Sequence, residues 1–289
     1  MNTSGQALCS PFRSAMLNLR SLPLRLITVA RQTLDGQLIT IPMKLITDEF
    51  AFALDSDGWN YYGALLADYG KNPNIPLEAT TFFRFFQHAC INSIRYLEDV
   101  LFFHEPQGRM DEKRFRFYLG TYPWGGLTET ASLVGGTPFG WYYDRVEERS
   151  TRDLWGYGKT LWYQPNDRHT IECEWDLTTK QFCCLQHGYH PWLHLSVPAV
   201  TMLIRRDGDR RAIIVDGHHR LSILSYLGYD QVRVEVMQQV EEAEVDQWYY
   251  VKRGDCSRQQ ALEIFNAFFR LNGRERLAYL NLDELHNHV

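Results

Sequence analysis

The chain has 289 residues, 45% of them hydrophobic and 22% charged, a globular composition with enough apolar side chain for one large or two small cores. A net charge of −5 and a pI of about 6.1 disfavour a general nucleic-acid binder, whose surface is basic. The six cysteines include no Cys-x-x-Cys pair and read as free thiols of a reducing compartment, the cytoplasm; no apolar run reaches the roughly 20 residues that span a bilayer.

Residues 1–34 carry Arg13, Arg20, Arg25 and Arg31, with no acid before Asp35. The apolar, basic stretch Met16 to Val29 is broken by Pro23. It reads as an arm against the domain, with a membrane-surface or partner contact as the alternative. Gln37 to Ile41 and Met43 to Ile46, separated by Pro42, form a hairpin-like pair. Asp55-Ser56-Asp57-Gly58 is a turn, and Trp59 to Tyr69 is a short helix. After the loop Lys71 to Pro76, the long stretch Leu77 to His104 is apolar on most sides (Phe82, Phe83, Phe85, Phe86, Ile91, Ile94, Leu97, Leu101) and predicts one buried helix.

Arg114 to Leu119 alternates like a strand. Glycine-rich segments follow at Trp124-Gly125-Gly126, Gly135 to Gly140 and Trp155 to Thr160. The last ends like a phosphate-binding P-loop, but Asp153 stands where that motif requires its first glycine, so it is no Walker sequence. The aromatic loops between residues 121 and 163 either line a cleft or shape the chain. Arg168 to Leu177 alternates through His169, Ile171, Cys173 and Trp175 and predicts a strand, with Glu172, Glu174 and Asp176 on a solvated face or supplying a catalytic carboxylate. His187, His190 and His194 lie close in sequence, but Pro191 interrupts them and their spacing fits no standard metal-ligand helix.

Pro198 to Arg205 is a strong strand, and Arg205 to Arg211 is a charged hairpin turn around Asp207-Gly208. It leads into Ala212 to Val215, a short β-branched run that predicts a central buried strand. Asp216-Gly217 is a turn; Leu221, Ile223, Leu224 and Leu227 then share a helical face that Gly228 ends. Val232, Val234 and Val236 alternate as a strand. Beyond an acidic patch (Glu241, Glu242, Glu244, Asp246), Ser257 to Gln260 is a capping box for a helix from Gln259 to Leu271.

The turn between strand and helix is the chemically loaded point. A glycine admits close backbone approach, and a helix N-terminus offers unpaired N–H groups and partial positive charge. Two imidazoles and a guanidinium sit there, the makings of a phosphate site, with the Asp216 carboxylate beside them for a metal ion or a proton.

The string Val215-Asp216-Gly217-His218-His219-Arg220, with its apolar helix and Val-x-Val-x-Val strand, resembles the nucleotide-binding core of the ParB/sulfiredoxin superfamily over residues 211–237. Sulfiredoxins carry a reactive cysteine where this chain has His218, and ParB proteins a Gly-Glu-Arg-Arg loop before a helix-turn-helix domain. The Asp-Gly-His-x-Arg form is most similar to the free-serine kinases. The resemblance implies that Gly217, His218, His219 and Arg220 bind the phosphates of ADP or ATP. It implies that Asp216 lies by the transferred group or its Mg2+, and that Asp216 and His218 are catalytic. It also implies a glutamate base from elsewhere in the chain, which no motif identifies.

The expected fold class is α/β (α+β): a mixed N-terminal region over 1–120, a ParB/sulfiredoxin-like core over 121–240 and a C-terminal helical cap over 241–289. The expected function is a nucleotide-dependent phosphotransferase acting on a small hydroxyl-bearing metabolite such as an amino acid or sugar. The alternatives are a non-catalytic nucleotide-binding switch and, disfavoured by charge, a ParB-like nucleic-acid-acting protein.

Overall fold

The computed structural model describes residues 37–88, 97–102, 117, 122–125, 168–189 and 197–279. The basic arm, the strand expected at Arg114 to Leu119, the glycine-rich segments at 135–140 and 155–160, and His190 and His194 lie outside them.

The fold is α/β, with one mixed five-stranded sheet in the order β1-β5-β3-β4-β2. The strands are β1 (Gln37–Pro42), β2 (Ile46–Thr47), β3 (Ala199–Ile204), β4 (Arg210–Asp216) and β5 (Gln231–Glu241). β1 and β3 flank β5, antiparallel and parallel to it respectively; β4 is antiparallel to β3 and parallel to β2. Two expectations about the sheet change. The segments around Pro42 do not pair as a hairpin: a 3-10 turn at Met43–Leu45 sends β1 and β2 to opposite edges of the sheet. Residues 212–215 lie in β4, next to an edge, and β3 is central. The sheet joins strands from both sides of residue 120.

The helices are α1 (Tyr61–Lys71), α2 (Thr81–His88), α3 (Leu97–Leu101), α4 (Arg168–Leu185), α5 (His218–Tyr226), α6 (Tyr249–Lys252), α7 (Arg258–Arg270) and α8 (Arg274–Tyr279). The single helix expected from Leu77 does not start there. Leu77–Ala79 is a 3-10 turn, and the Thr80 hydroxyl accepts the Phe83 N–H at 3.1 Å, so the α-helical turn begins only at Thr81. The strand expected over Arg168 to Leu177 is also corrected, since these residues open α4. Ile171, Thr178, Phe182 and Leu185 are buried at helical spacing, and that period outlasts the local alternation.

Val232, Val234 and Val236 of β5 pack with Val200, Met202, Ala212 and Ile214 against Leu221 and Leu224 of α5. On its other side α5 sends Ile223 into an aromatic cluster built by α1, α2 and α4. The opposite face of the sheet presents Leu203, Ile213 and Val240 to α7, whose Ile264, Phe265 and Phe268 are buried. Ser257 caps α7 as expected, its hydroxyl accepting the Gln260 N–H at 3.1 Å. α5 is therefore held between sheet and helices, and its first turn is fixed by packing on both sides. Among the described residues no helix is long and apolar enough to cross a membrane.

Candidate functional site

Parallel neighbours end at the same edge of a sheet. β2 and β4 are such a pair, so the chain leaving Thr47 and the chain leaving Asp216 emerge side by side. The first exit is Asp48-Glu49 and the second is Gly217-His218.

Asp48 shapes the first exit. Its Oδ1 accepts the N–H groups of Phe50 (2.9 Å) and Phe52 (2.8 Å), while the Asp48 N–H donates to the Phe52 carbonyl at 3.0 Å. The loop doubles back through Ala51, a non-glycine residue at φ 62°. Glu49 is thereby turned toward the second exit, where its Oε2 pairs with His218 Nε2. At that exit Gly217 caps α5 at φ 92°, and a Cβ there would stand 3.1 Å from that of Pro198. Glycine is the residue that meets both conditions.

The neighbouring imidazole points elsewhere. His219 Nε2 lies 2.6 Å from Glu174 Oε2, on α4. The same oxygen accepts the Tyr62 hydroxyl at 2.6 Å, and the Tyr62 ring lies 4.6 Å from the His219 ring. Tyr61 donates to Asp48 Oδ2 at 3.3 Å. Both tyrosines open α1, whose Asn60 cap accepts the Gly63 N–H at 2.6 Å and donates to the Ala53 carbonyl at 3.2 Å. That cap ties α1 to the loop carrying Glu49. Four elements therefore meet at the Gly217 turn: the β2 exit, α1, α4 and α5.

The electrostatics follow from this placement. Burial pulls the His218 imidazole toward its neutral form, but Glu49, then Asp48 and Asp216, more than compensate and hold its pKa at about 9, so it is an imidazolium at neutral pH. Burial pushes the Glu174 carboxyl up; the His219 hydrogen bond and charge and the Tyr62 hydroxyl outweigh it and leave the pKa below the ordinary value. Burial and the adjoining carboxylates raise Tyr61 and Tyr62 well above the usual phenol range, so both remain donors. Tyr122 is raised in the same way, by burial and then by Glu49 and Asp48.

Asp216 is exposed, and Gly217 to Arg220 are partly buried. The five residues singled out in the sequence thus form one surface turn, but His218 and His219 diverge to separate carboxylates. Arg220 stands beside the Tyr189 phenol, whose pKa burial raises and the Arg220 charge lowers. The arginines of the β3–β4 turn are at the other end of β4, roughly 20 Å away at the rise of a strand. There Arg205 lies over the Phe269 ring at 4.1 Å and donates to Asn266 at 2.8 Å. His187 is exposed, and among the described residues no group of three or more His, Cys, Asp or Glu side chains is disposed to hold a metal.

Glu49, Asp48 and the two tyrosines were not singled out in the sequence, although a signal existed. Asp48-Glu49 interrupts the apolar stretch Leu45 to Leu54, and a buried acid pair requires partners. Glu174 was noted among three acids; its partnership with His219 was not. Comparison with protein-family models, curated proteins and solved structures finds no match to this chain.

Proposed function

We propose that the chain is a nucleotide-dependent phosphotransferase, using ADP or ATP to phosphorylate a small hydroxyl-bearing metabolite, with a ParB/sulfiredoxin-like core. The observation that carries this reading is the meeting of Glu49 with His218 at the Gly217 turn. The first N–H groups of α5 have no partner within the helix and, with the His218 imidazolium and Arg220, supply the positive field that a polyphosphate needs. Glu49 is the glutamate base that the resemblance requires and sequence motifs did not locate.

Two carboxylates reach the site, and their surroundings give them different roles. Glu174 accepts two hydrogen bonds on one oxygen and is held below the ordinary carboxylate pKa, which makes it a poor proton acceptor. Glu49 keeps its other oxygen for a substrate hydroxyl. In the proposed reaction the acceptor oxygen bonds to the terminal phosphorus as the bond to the bridging oxygen breaks. Glu49 takes the hydroxyl proton, and the shortened nucleotide leaves with the bridging electron pair. His218, His219, Arg220 and the α5 backbone offset the charge on the phosphoryl oxygens. The exposed Asp216 suits a Mg2+ ion that arrives with the nucleotide, since magnesium is commonly held by one or two carboxylates plus phosphates. The free thiols of Cys183, Cys184 and Cys256 agree with a reducing, cytoplasmic setting.

A second reading, a nucleotide-binding switch without chemistry, is favoured by the pairing of both imidazoles with protein carboxylates, which can stabilise the turn alone. Thermal shift with ADP, ATP and CTP, with and without magnesium, tests both readings. Ligand at a hundred times Kd adds about 2.7 kcal/mol of stability. The expected result is a shift that Arg220→Ala abolishes; no shift with any nucleotide refutes both readings. Glu49→Gln then separates them. Retained binding with lost product formation supports the transferase, and binding without product in the wild-type protein over a metabolite pool supports the switch.

A further inference from the structure

Glu235, in the middle of β5, is 0% exposed, and among the described residues nothing hydrogen-bonds to either of its carboxylate oxygens. Arg233, next but one along the strand, is exposed and gives it no hydrogen bond. Buried carboxylates are ordinarily paired or hold a cation, because an isolated one is costly to keep from water.

The strand register shows what lies beside it. Ala199 partners Glu235 on β5 and Asp216 on β4, so Asp216, Ala199 and Glu235 form one row across three strands. The β3–β4 pairing shifts at this row: Val200 partners Ile214, which leaves Val215 as an extra residue and brings Asp216 level with Ala199. Residues in register share a face of the sheet. Asp216 and Glu235 are two strand spacings apart, about 10 Å, with only the Ala199 methyl group between them. The row also borders the Gly217 turn. The Pro198 carbonyl accepts the Glu235 N–H at 2.9 Å, and a Cβ on Gly217 would stand 3.1 Å from that of Pro198. Asp216 is the exposed end of the row and Glu235 the buried end.

We propose that Glu235 is the second protein ligand, with Asp216, of a divalent cation held over Ala199 beside the Gly217 turn. That this cation is the Mg2+ of a nucleotide rests on the phosphotransferase reading above; the pair of carboxylates does not. Magnesium is commonly bound by one or two carboxylates, with waters and phosphate oxygens completing its shell. A site of two acids therefore agrees with the lack, among the described residues, of any group of three metal-ligating side chains.

The test follows Mn2+, a paramagnetic substitute for Mg2+, by electron paramagnetic resonance with and without ADP. Affinity for Mn2+ should fall at least about tenfold in both Glu235→Gln and Asp216→Asn, since losing even an outer-shell partner costs a metal site that much. Glu235→Gln keeps the side-chain shape and Asp216→Asn alters an exposed residue, so melting without metal should stay near that of the wild type. Mn2+ should raise the melting temperature of the wild type and not that of Glu235→Gln. Equal Mn2+ affinity in wild type and Glu235→Gln, or a loss confined to Asp216→Asn, overturns the inference, as does a wild type that binds no Mn2+ with or without ADP. Mn2+ that needs both carboxylates but gains nothing from ADP supports the cation site and removes the nucleotide. ADP that binds equally to wild type and both variants, with no dependence on metal, removes the cation site and leaves the nucleotide reading in place.

Discussion

Replacing Glu49 with glutamine should cost stability in a pH-dependent way, with a sign fixed by His218. The histidine pKa rises from 6.5 to about 9 in the folded chain, and Glu49 is the largest favourable cause. At about 1.36 kcal/mol per unit the whole shift corresponds to roughly 3 kcal/mol. His218 and Glu49 keep 21% and 10% of their side-chain surface exposed, and Asp48 and Asp216 still act on the ring in the variant, so the share lost should be about 2 kcal/mol. A raised folded pKa stabilises fully below the unfolded value of 6.5, and the stabilisation is lost as pH rises through about 9. Urea denaturation of both proteins from pH 6 to pH 10 measures this difference, and ionisations common to both cancel. The expected gap is widest at pH 6 and shrinks steadily above neutrality. A gap that is constant with pH, or that widens toward pH 10, refutes the claim that Glu49 holds His218 as an imidazolium.

Other substitutions report on neighbouring parts of the same framework. Glu174→Gln should flatten the acid limb of the stability profile: a depressed carboxyl pKa stabilises above its unfolded value of 4.5, and that contribution disappears as pH falls through the folded value, so wild type should lose more stability than the variant on acidification in a denaturation series. Gly217→Ala should cost about 1–2 kcal/mol by chemical denaturation, from φ 92° and a Cβ 3.1 Å from that of Pro198. Gly273→Ala should cost more, about 3 kcal/mol or above, because its Cβ would fall 2.2 Å from the Trp59 carbonyl oxygen, which cannot move without displacing the start of α1. Ser257→Ala should remove about 1 kcal/mol by unbinding the Gln260 N–H at the head of α7, measurable as a lowered urea midpoint at unchanged slope.

The unit β4–α5–β5 was legible because its signals are local. A β-branched run, a glycine at a turn, an apolar helical face and alternating valines all lie within residues 210–241, and each acts over a few neighbours. α4 was misread for the same reason. Over ten residues its apolar positions alternate, and only a window reaching Leu185 separates a helical period from that of a strand. The site divides along this line. The turn that binds its own backbone is visible in sequence, whereas the carboxylates that complete it are 169 and 45 residues away. No local rule connects Glu49 to His218. The connection depends on β2 running parallel to β4, and that pairing, only two residues long, is set by how the whole sheet closes. A short edge strand carries too little propensity to be seen alone, yet its direction decides which loop faces Gly217. An antiparallel β2 would have delivered Leu45 and Lys44 to the Gly217 turn in place of the acids, leaving His218 without its carboxylate.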